Sequence, residues 1–144
     1  MKQEDKELLL KDLSARLPYG VIVHVESHDG GADHSFDNHL IGVQRAYAIV
    51  PRKDGIVTHF PIFLGANVKP YLRPLTSMTN EEREEYRKFS YYGAAGYRDN
   101  DFKEMVAVPS YEKIDWLNAH HFDYRGLIER GLAIKVTPDN NPYE

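Results

Sequence analysis

His28, Asp29, Asp33, His34, Asp37 and His39 crowd into one short stretch of the chain. Imidazole and carboxylate are the donors that zinc, manganese or iron accept, and a loop can fold them around one ion. Their spacing matches no established site. It is not a helical His-Glu-x-x-His pair, and Gly31 and Ala32 break the ligand alternation of an EF-hand loop. A connection that stays in water is itself rich in Asp, Gly, Asn and His. The stretch is therefore read as a solvated loop. A divalent-metal site built from His28, Asp33, His34, Asp37 and His39 is the alternative, and no other cofactor is expected.

A second set lies on a strand pattern. Val21, Val23 and Val25 alternate with Ile22, His24 and Glu26, which puts His24 and Glu26 on one face, with His59 on a candidate neighbouring strand. A histidine that titrates near neutrality beside a carboxylate can do acid–base chemistry. The water-facing side of an antiparallel sheet has the same composition, and that is the preferred account. No Gly-x-Ser-x-Gly elbow, phosphate loop or dinucleotide fingerprint occurs.

The third set is a corner, Trp116 followed by His120, His121, Phe122, Asp123, Tyr124 and Arg125. Asp123 can cap a following helix, Arg125 can pair with a carboxylate, and Trp116 and Tyr124 can anchor the corner in the core. The alternative is a binding surface, because interfaces favour these residue types. Tyr71 and Arg73 join Trp116, His120, His121, Tyr124 and Arg125 as candidate interaction residues. Tyr71, Tyr86, Tyr91, Tyr92 and Tyr97 also lie near Lys69, Arg73, Arg87, Lys88 and Arg98, a mixture that can stack single-stranded bases. Glu81, Glu82, Glu84 and Glu85 in the same region oppose a phosphate chain.

The elements that position these groups follow from periodicity. Leu9, Leu10, Leu13 and Leu17 recur at helical spacing after Asp5 as N-cap, with Lys6, Lys11, Asp12 and Arg16 as polar positions, and Pro18 and Gly20 as the stop. Strands are expected from Val21, over Leu40–Val50 with a bulge at Gly42, over Ile56–Leu64 after the Asp54-Gly55 turn, and over Val68–Leu72. Thr79 and Glu82 form a capping box that opens a helix to Phe89, with Tyr86 inward. Tyr91–Tyr97 reads as an irregular connection and Met105–Val108 as a short strand. Ser110 caps a helix that turns Ile114 and Leu117 inward and ends near His120. Asp123 opens a last short helix that Gly131 stops, Leu132–Val136 returns as a strand, and 137–144 is a loose tail. The fold class is α+β in one domain: an N-terminal helix, an antiparallel meander of three to five strands that can curl into a small barrel, and C-terminal helices packed on it.

Composition narrows the setting. The chain has 144 residues, enough for one core, with 42% hydrophobic and 28% charged residues. It has no cysteine, which removes disulfides and thiol chemistry. A net charge of −4 disfavours duplex nucleic acid as the main partner. A charged N-terminus and no long apolar run point to the cytoplasm and away from membranes.

Three stretches, 8–20 (Leu8 to Gly20), 69–79 (Lys69 to Thr79) and 115–128 (Asp115 to Ile128), resemble a family of small proteins of Bacteroidales gut bacteria, their prophages and other mobile elements. That family has no established activity, so the resemblance implies a setting and no catalytic residues. The expected function is a non-catalytic accessory or protein-interaction module of a phage or mobile element. The alternatives are a small metal-dependent enzyme using loop 28–39 and a single-strand nucleic-acid accessory protein.

Overall fold

The computed structural model describes residues 2–27, 34–62, 66–89 and 111–144, with only the backbone described at His34 and Ala66. Helix α1 spans Gln3–Arg16 and ends in a 3-10 turn, Leu17–Tyr19, after which Gly20 takes a left-handed φ of 70°. Its N-cap is Lys2, without a side-chain cap bond, so Asp5 sits inside the first turn instead of capping it. There Asp5 accepts a hydrogen bond from Arg130 Nη1 at 2.8 Å.

Strands β1 (Ile22–Ser27) and β2 (His34–His39) form an antiparallel hairpin with Val23 opposite Asn38 and Val25 opposite Phe36. Half of the stretch read as a polar loop is thus a strand. Its single inward aromatic, Phe36, supplies the burial that the neighbouring polar residues hide from a period count. The strand expected over 40–50 divides into β3 (Gly42–Gln44) and β4 (Tyr47–Pro51), joined by a tight turn at Arg45 and Ala46. The Asp54-Gly55 turn then leads to β5 (Val57–Pro61). The long strand β6 (Ala66–Pro74) changes partner along its length. Residues 66–70 pair antiparallel with β1, and the pairing stops at Pro70, which has no N–H to donate.

Helix α2 (Asn80–Arg87) carries both bonds of the expected Thr79–Glu82 capping box. Helix α3 (Tyr111–Ala119) buries Trp116 and Leu117. Short strands β7 (Phe122–Asp123) and β8 (Ile134–Lys135) pair parallel with β6, at Arg73–Pro74 and Tyr71–Leu72 respectively. In place of a last helix, Asp123 accepts from the backbone N–H groups of Leu127 and Ile128 at 3.0 and 2.9 Å, which closes a turn. Residues 90–110, including the connection expected at 91–97 and the strand expected at 105–108, lie outside the described residues.

The result is α+β, with one sheet ordered β2-β1-β6-β7 plus β8, and a second ordered β3-β4-β5. The sheets are open rather than closed into a barrel. One core joins them: Val21, Val23, Val25, Phe36 and Val68 from the first, Ala48, Val50 and Phe60 from the second, and Leu9 and Leu13 from α1. The Phe36 and Phe60 rings meet at 5.7 Å between centroids. A second cluster holds Met78, Tyr86, Trp116, Leu117 and Phe122 under α2 and α3.

Asp12 and Arg16, read as polar positions around the leucine stripe of α1, are both fully buried. Asp12 accepts from Arg16 Nε at 2.7 Å and from Arg125 Nη1 at 3.1 Å. Arg16 Nη2 donates to the Phe122 carbonyl at 2.6 Å. Removing one member of such a buried set strands the others in low dielectric, a loss of about 3–5 kcal/mol. Urea denaturation of Asp12→Ala is expected to show that loss. Asp5→Ala, which breaks a partly exposed pair, should lose less than about 1 kcal/mol. Equal losses would mean that the Asp12 pair carries no special weight.

Candidate functional site

The outward face of the first sheet is polar because His24 and Glu26 of β1 alternate with its buried valines. Register places Asp37 of β2 and Lys69 of β6 on either side of His24. His24 Nδ1 lies 2.6 Å from Asp37 Oδ1, and its Nε2 lies 3.2 Å from Glu26 Oε1. The Tyr71 hydroxyl donates to the same Asp37 oxygen at 3.0 Å. Burial and the Asp37 carboxylate push the Tyr71 phenol up to about 12, so it remains a donor. The structure therefore joins His24 and Glu26 as expected but supplies Asp37 and Tyr71 as their companions. His59 stands apart, on β5 opposite Ile49.

Beside this face the corner residues hold one another. Trp116 is buried between the rings of His120 and Phe122, at 4.1 and 5.7 Å, and its indole N–H donates to Glu85 at 3.0 Å. Tyr124 donates to Asn118 at 2.9 Å, and the guanidinium groups of Arg16 and Arg125 lie 5.2 and 4.8 Å from the centre of its ring. Arg73 forms a two-pronged pair with Glu82, at 2.7 and 2.8 Å, and covers the Phe122 ring. Tyr86 is fully buried against Trp116. Tyr91, Tyr92 and Tyr97 of the proposed base-stacking set lie outside the described residues.

The segment expected to be a loose tail is anchored. The Tyr143 hydroxyl donates to the Tyr71 carbonyl at 2.7 Å and accepts from the Ile22 N–H at 3.1 Å. Its ring stacks on His121 at 3.7 Å. His121 takes a left-handed φ of 63°, and burial, aided by the Arg16 charge, lowers its imidazole to about 4.

Of the expected metal ligands, His28 and Asp33 lie outside the described residues and only the backbone of His34 is described. Asp37 is engaged by His24 and Tyr71, and His39 is exposed two residues further along β2. Among the described residues no group of three or more His, Asp or Glu is placed to hold a metal ion. Among them, too, no helix is long and apolar enough to cross a membrane.

The second sheet presents the opposite kind of surface. Its inner face is Ala48, Val50 and Phe60, so alternation turns Tyr47, Ile49 and Pro51 of β4 outward, beside Val57, His59 and Pro61 of β5. Ile49 lies across Gly42, where an added Cβ would come within 2.9 Å of it. Tyr47, Val57 and the flanking Ile41 and Ile56 are 43–55% exposed. The sequence carried this signal in the nearly continuous apolar runs 47–51 and 56–62, whose outward halves have no place in a single core. At one end of this face Gln44, Arg45, Tyr47 and His59 line a shallow, open cavity of about 320 Å³.

Comparison of the chain with protein-family models, with curated proteins and with solved structures finds no match.

Two groups set the acid response of this region. His121 is neutral in the fold and takes up its proton on unfolding, so stability falls as pH drops from 6.5 towards about 4. Glu82, held to about 2 chiefly by its hydrogen bonds from Arg73, contributes stability above 4.5 that is lost as pH falls towards about 2. Urea midpoints measured across pH should thus fall in two steps. His121→Asn, whose side chain tolerates the left-handed backbone, is expected to flatten the upper step, and Glu82→Gln the lower. An unchanged upper step in His121→Asn would assign it elsewhere.

Proposed function

We propose that this chain is a non-catalytic protein-interaction module whose partner docks on the outward face of the second sheet. One observation carries the reading. The two sheets share a core, yet the first faces water with His24, Glu26, Asp37 and Lys69, while the second faces it mainly with Tyr47, Ile49, Pro51, Val57 and Pro61, His59 and Gln44 being its polar members. An antiparallel sheet with one solvated face normally alternates apolar and polar residues, as the first does. An apolar outward face costs free energy in water and is the usual mark of a covered surface. The corner residues Trp116, Tyr124 and Arg125 are occupied with internal contacts, which moves the binding surface away from them. The accessory role in a bacterial phage or mobile element rests on the resemblance of the three stretches at 8–20, 69–79 and 115–128.

The test uses the full chain with a photoreactive residue at position 57, and separately at position 26 on the polar face, expressed in its native host. Illumination is expected to give one reproducible protein adduct from position 57 and none from position 26. Ile49→Asp should reduce the position-57 adduct at least about tenfold. No reproducible adduct, or the same yield from both faces, would sink the reading.

A further inference from the structure

The cavity at the end of this face has a chemistry of its own. Gln44, Tyr47 and His59 come from three adjacent strands, and Arg45 comes from the turn that joins β3 to β4. Among the described residues, the side chains of Arg45 and His59 have no hydrogen-bond or ion-pair partner, and no carboxylate lines the cavity. In a chain of net charge −4 this leaves an unneutralised guanidinium beside a phenol ring and two further polar side chains. The lining offers donors to an anion and an aromatic wall to an apolar neighbour.

The backbone adds a second, independent observation. Arg45 has a φ of 55°, while Ala46 after it stays in the ordinary negative region. A positive φ at the first position of a two-residue hairpin turn belongs to glycine, and a long side chain held there costs on the order of 1 kcal/mol. A residue that strains the turn where glycine would relax it has a reason to be present other than folding.

We infer that this cavity receives the carboxylate of an acidic side chain on an extended segment of the protein partner, with Arg45 as its cation. The inference rests on the interaction-module reading and adds the chemistry of the partner. The anion site and the apolar strip are one surface, because Tyr47 leads along β4 to Ile49 and Pro51 with Val57 alongside. From Tyr47 to Pro51 an extended chain covers about 13 Å. The segment that fits therefore carries its acid at one end and apolar side chains at alternate positions over the next few residues. The shape matches an extended peptide better than a compact anion, which would leave the strip uncovered.

The experiment is an NMR titration of the full chain with the acetylated, amidated pentapeptide Glu-Thr-Val-Thr-Val, whose acid and two valines share one face of an extended chain. Its Gln-Thr-Val-Thr-Val and phosphoserine-Thr-Val-Thr-Val analogues are titrated in parallel. The Glu peptide is expected to shift the amides of Gln44, Arg45, Tyr47, Ile49 and His59, and to bind about tenfold more tightly than the Gln analogue, the worth of one charge-assisted bond. Arg45→Gly should reduce the Glu peptide to the level of the Gln analogue. Because glycine suits this backbone, the same variant should melt at or above the parent temperature. Lys53→Gln, a cation removed from the other end of the face, should leave binding unchanged. Equal binding of Glu and Gln peptides, binding of neither, or full binding by Arg45→Gly would overturn the inference. Tighter binding of the phosphoserine peptide would overturn it in favour of a phosphate site. Adduct formation from position 57 that survives Arg45→Gly would remove the carboxylate site alone, whereas loss of the adduct in the parent chain would remove the module reading beneath it.

Discussion

Asp12 has no exposure to water, yet it receives two guanidinium groups, one from its own helix and one from Arg125, more than a hundred residues away. Arg16 extends the tie to the Phe122 carbonyl. A carboxylate in that position is tolerable only when its charge and lone pairs are met, so α1, β7 and the loop after it must arrive together. The alternatives to this arrangement leave a charge in low dielectric. The set therefore acts less as a source of net stability than as a condition on which arrangement of the ends is allowed. Through Phe122, whose strand pairs with β6 at Arg73, the set is joined to the end of the first sheet.

The two sheets have contrasting energetics despite their common core. The first spends its outward positions on hydrogen bonds among His24, Glu26, Asp37 and Tyr71, which satisfy one another and need nothing from outside. On the second, Ile41, Ile56 and Val57 remain half exposed, and Arg45 keeps a strained backbone without an internal contact to compensate it. Strain and exposed apolar area thus fall in the same few strands, and the proposed docking surface rests on that coincidence.

Much of the architecture was legible in local patterns. The Thr79–Glu82 capping box, the Asp54-Gly55 turn, the leucine stripe of α1 and the valine alternation of β1 each act within a few residues, and each appears as read. Features set by distant partners were not. Asp12 and Arg16 stand three and seven residues after Leu9, on the buried face of α1, and only their charge hides this; Phe122 and Arg125 supply the partners that make their burial tolerable. β2 was hidden because one inward phenylalanine does the work of a whole apolar face. Tyr143 lies in a tail of Asn, Pro and Asp that carries no periodicity, and its anchor is a pair of backbone groups at Ile22 and Tyr71 that sequence cannot display. At the candidate site the sequence supplied His24 and Glu26 but paired them with His59, since strand neighbours within a meander are ambiguous until the sheets separate.

The succession of partners along β6 has a consequence for the birth of the molecule. Its first residues pair with β1, from the beginning of the chain, and its last with β7 and β8, from near the far end. Pairings between such distant segments close large loops before they return any stabilisation, which slows folding. On the ribosome the N-terminal hairpin can form early, but β6 stays incompletely paired, with an open edge, until residues 122–136 have emerged. For that interval the nascent chain is a sheet waiting for its last strands, and its unpaired edge is open to pairing with the wrong segment.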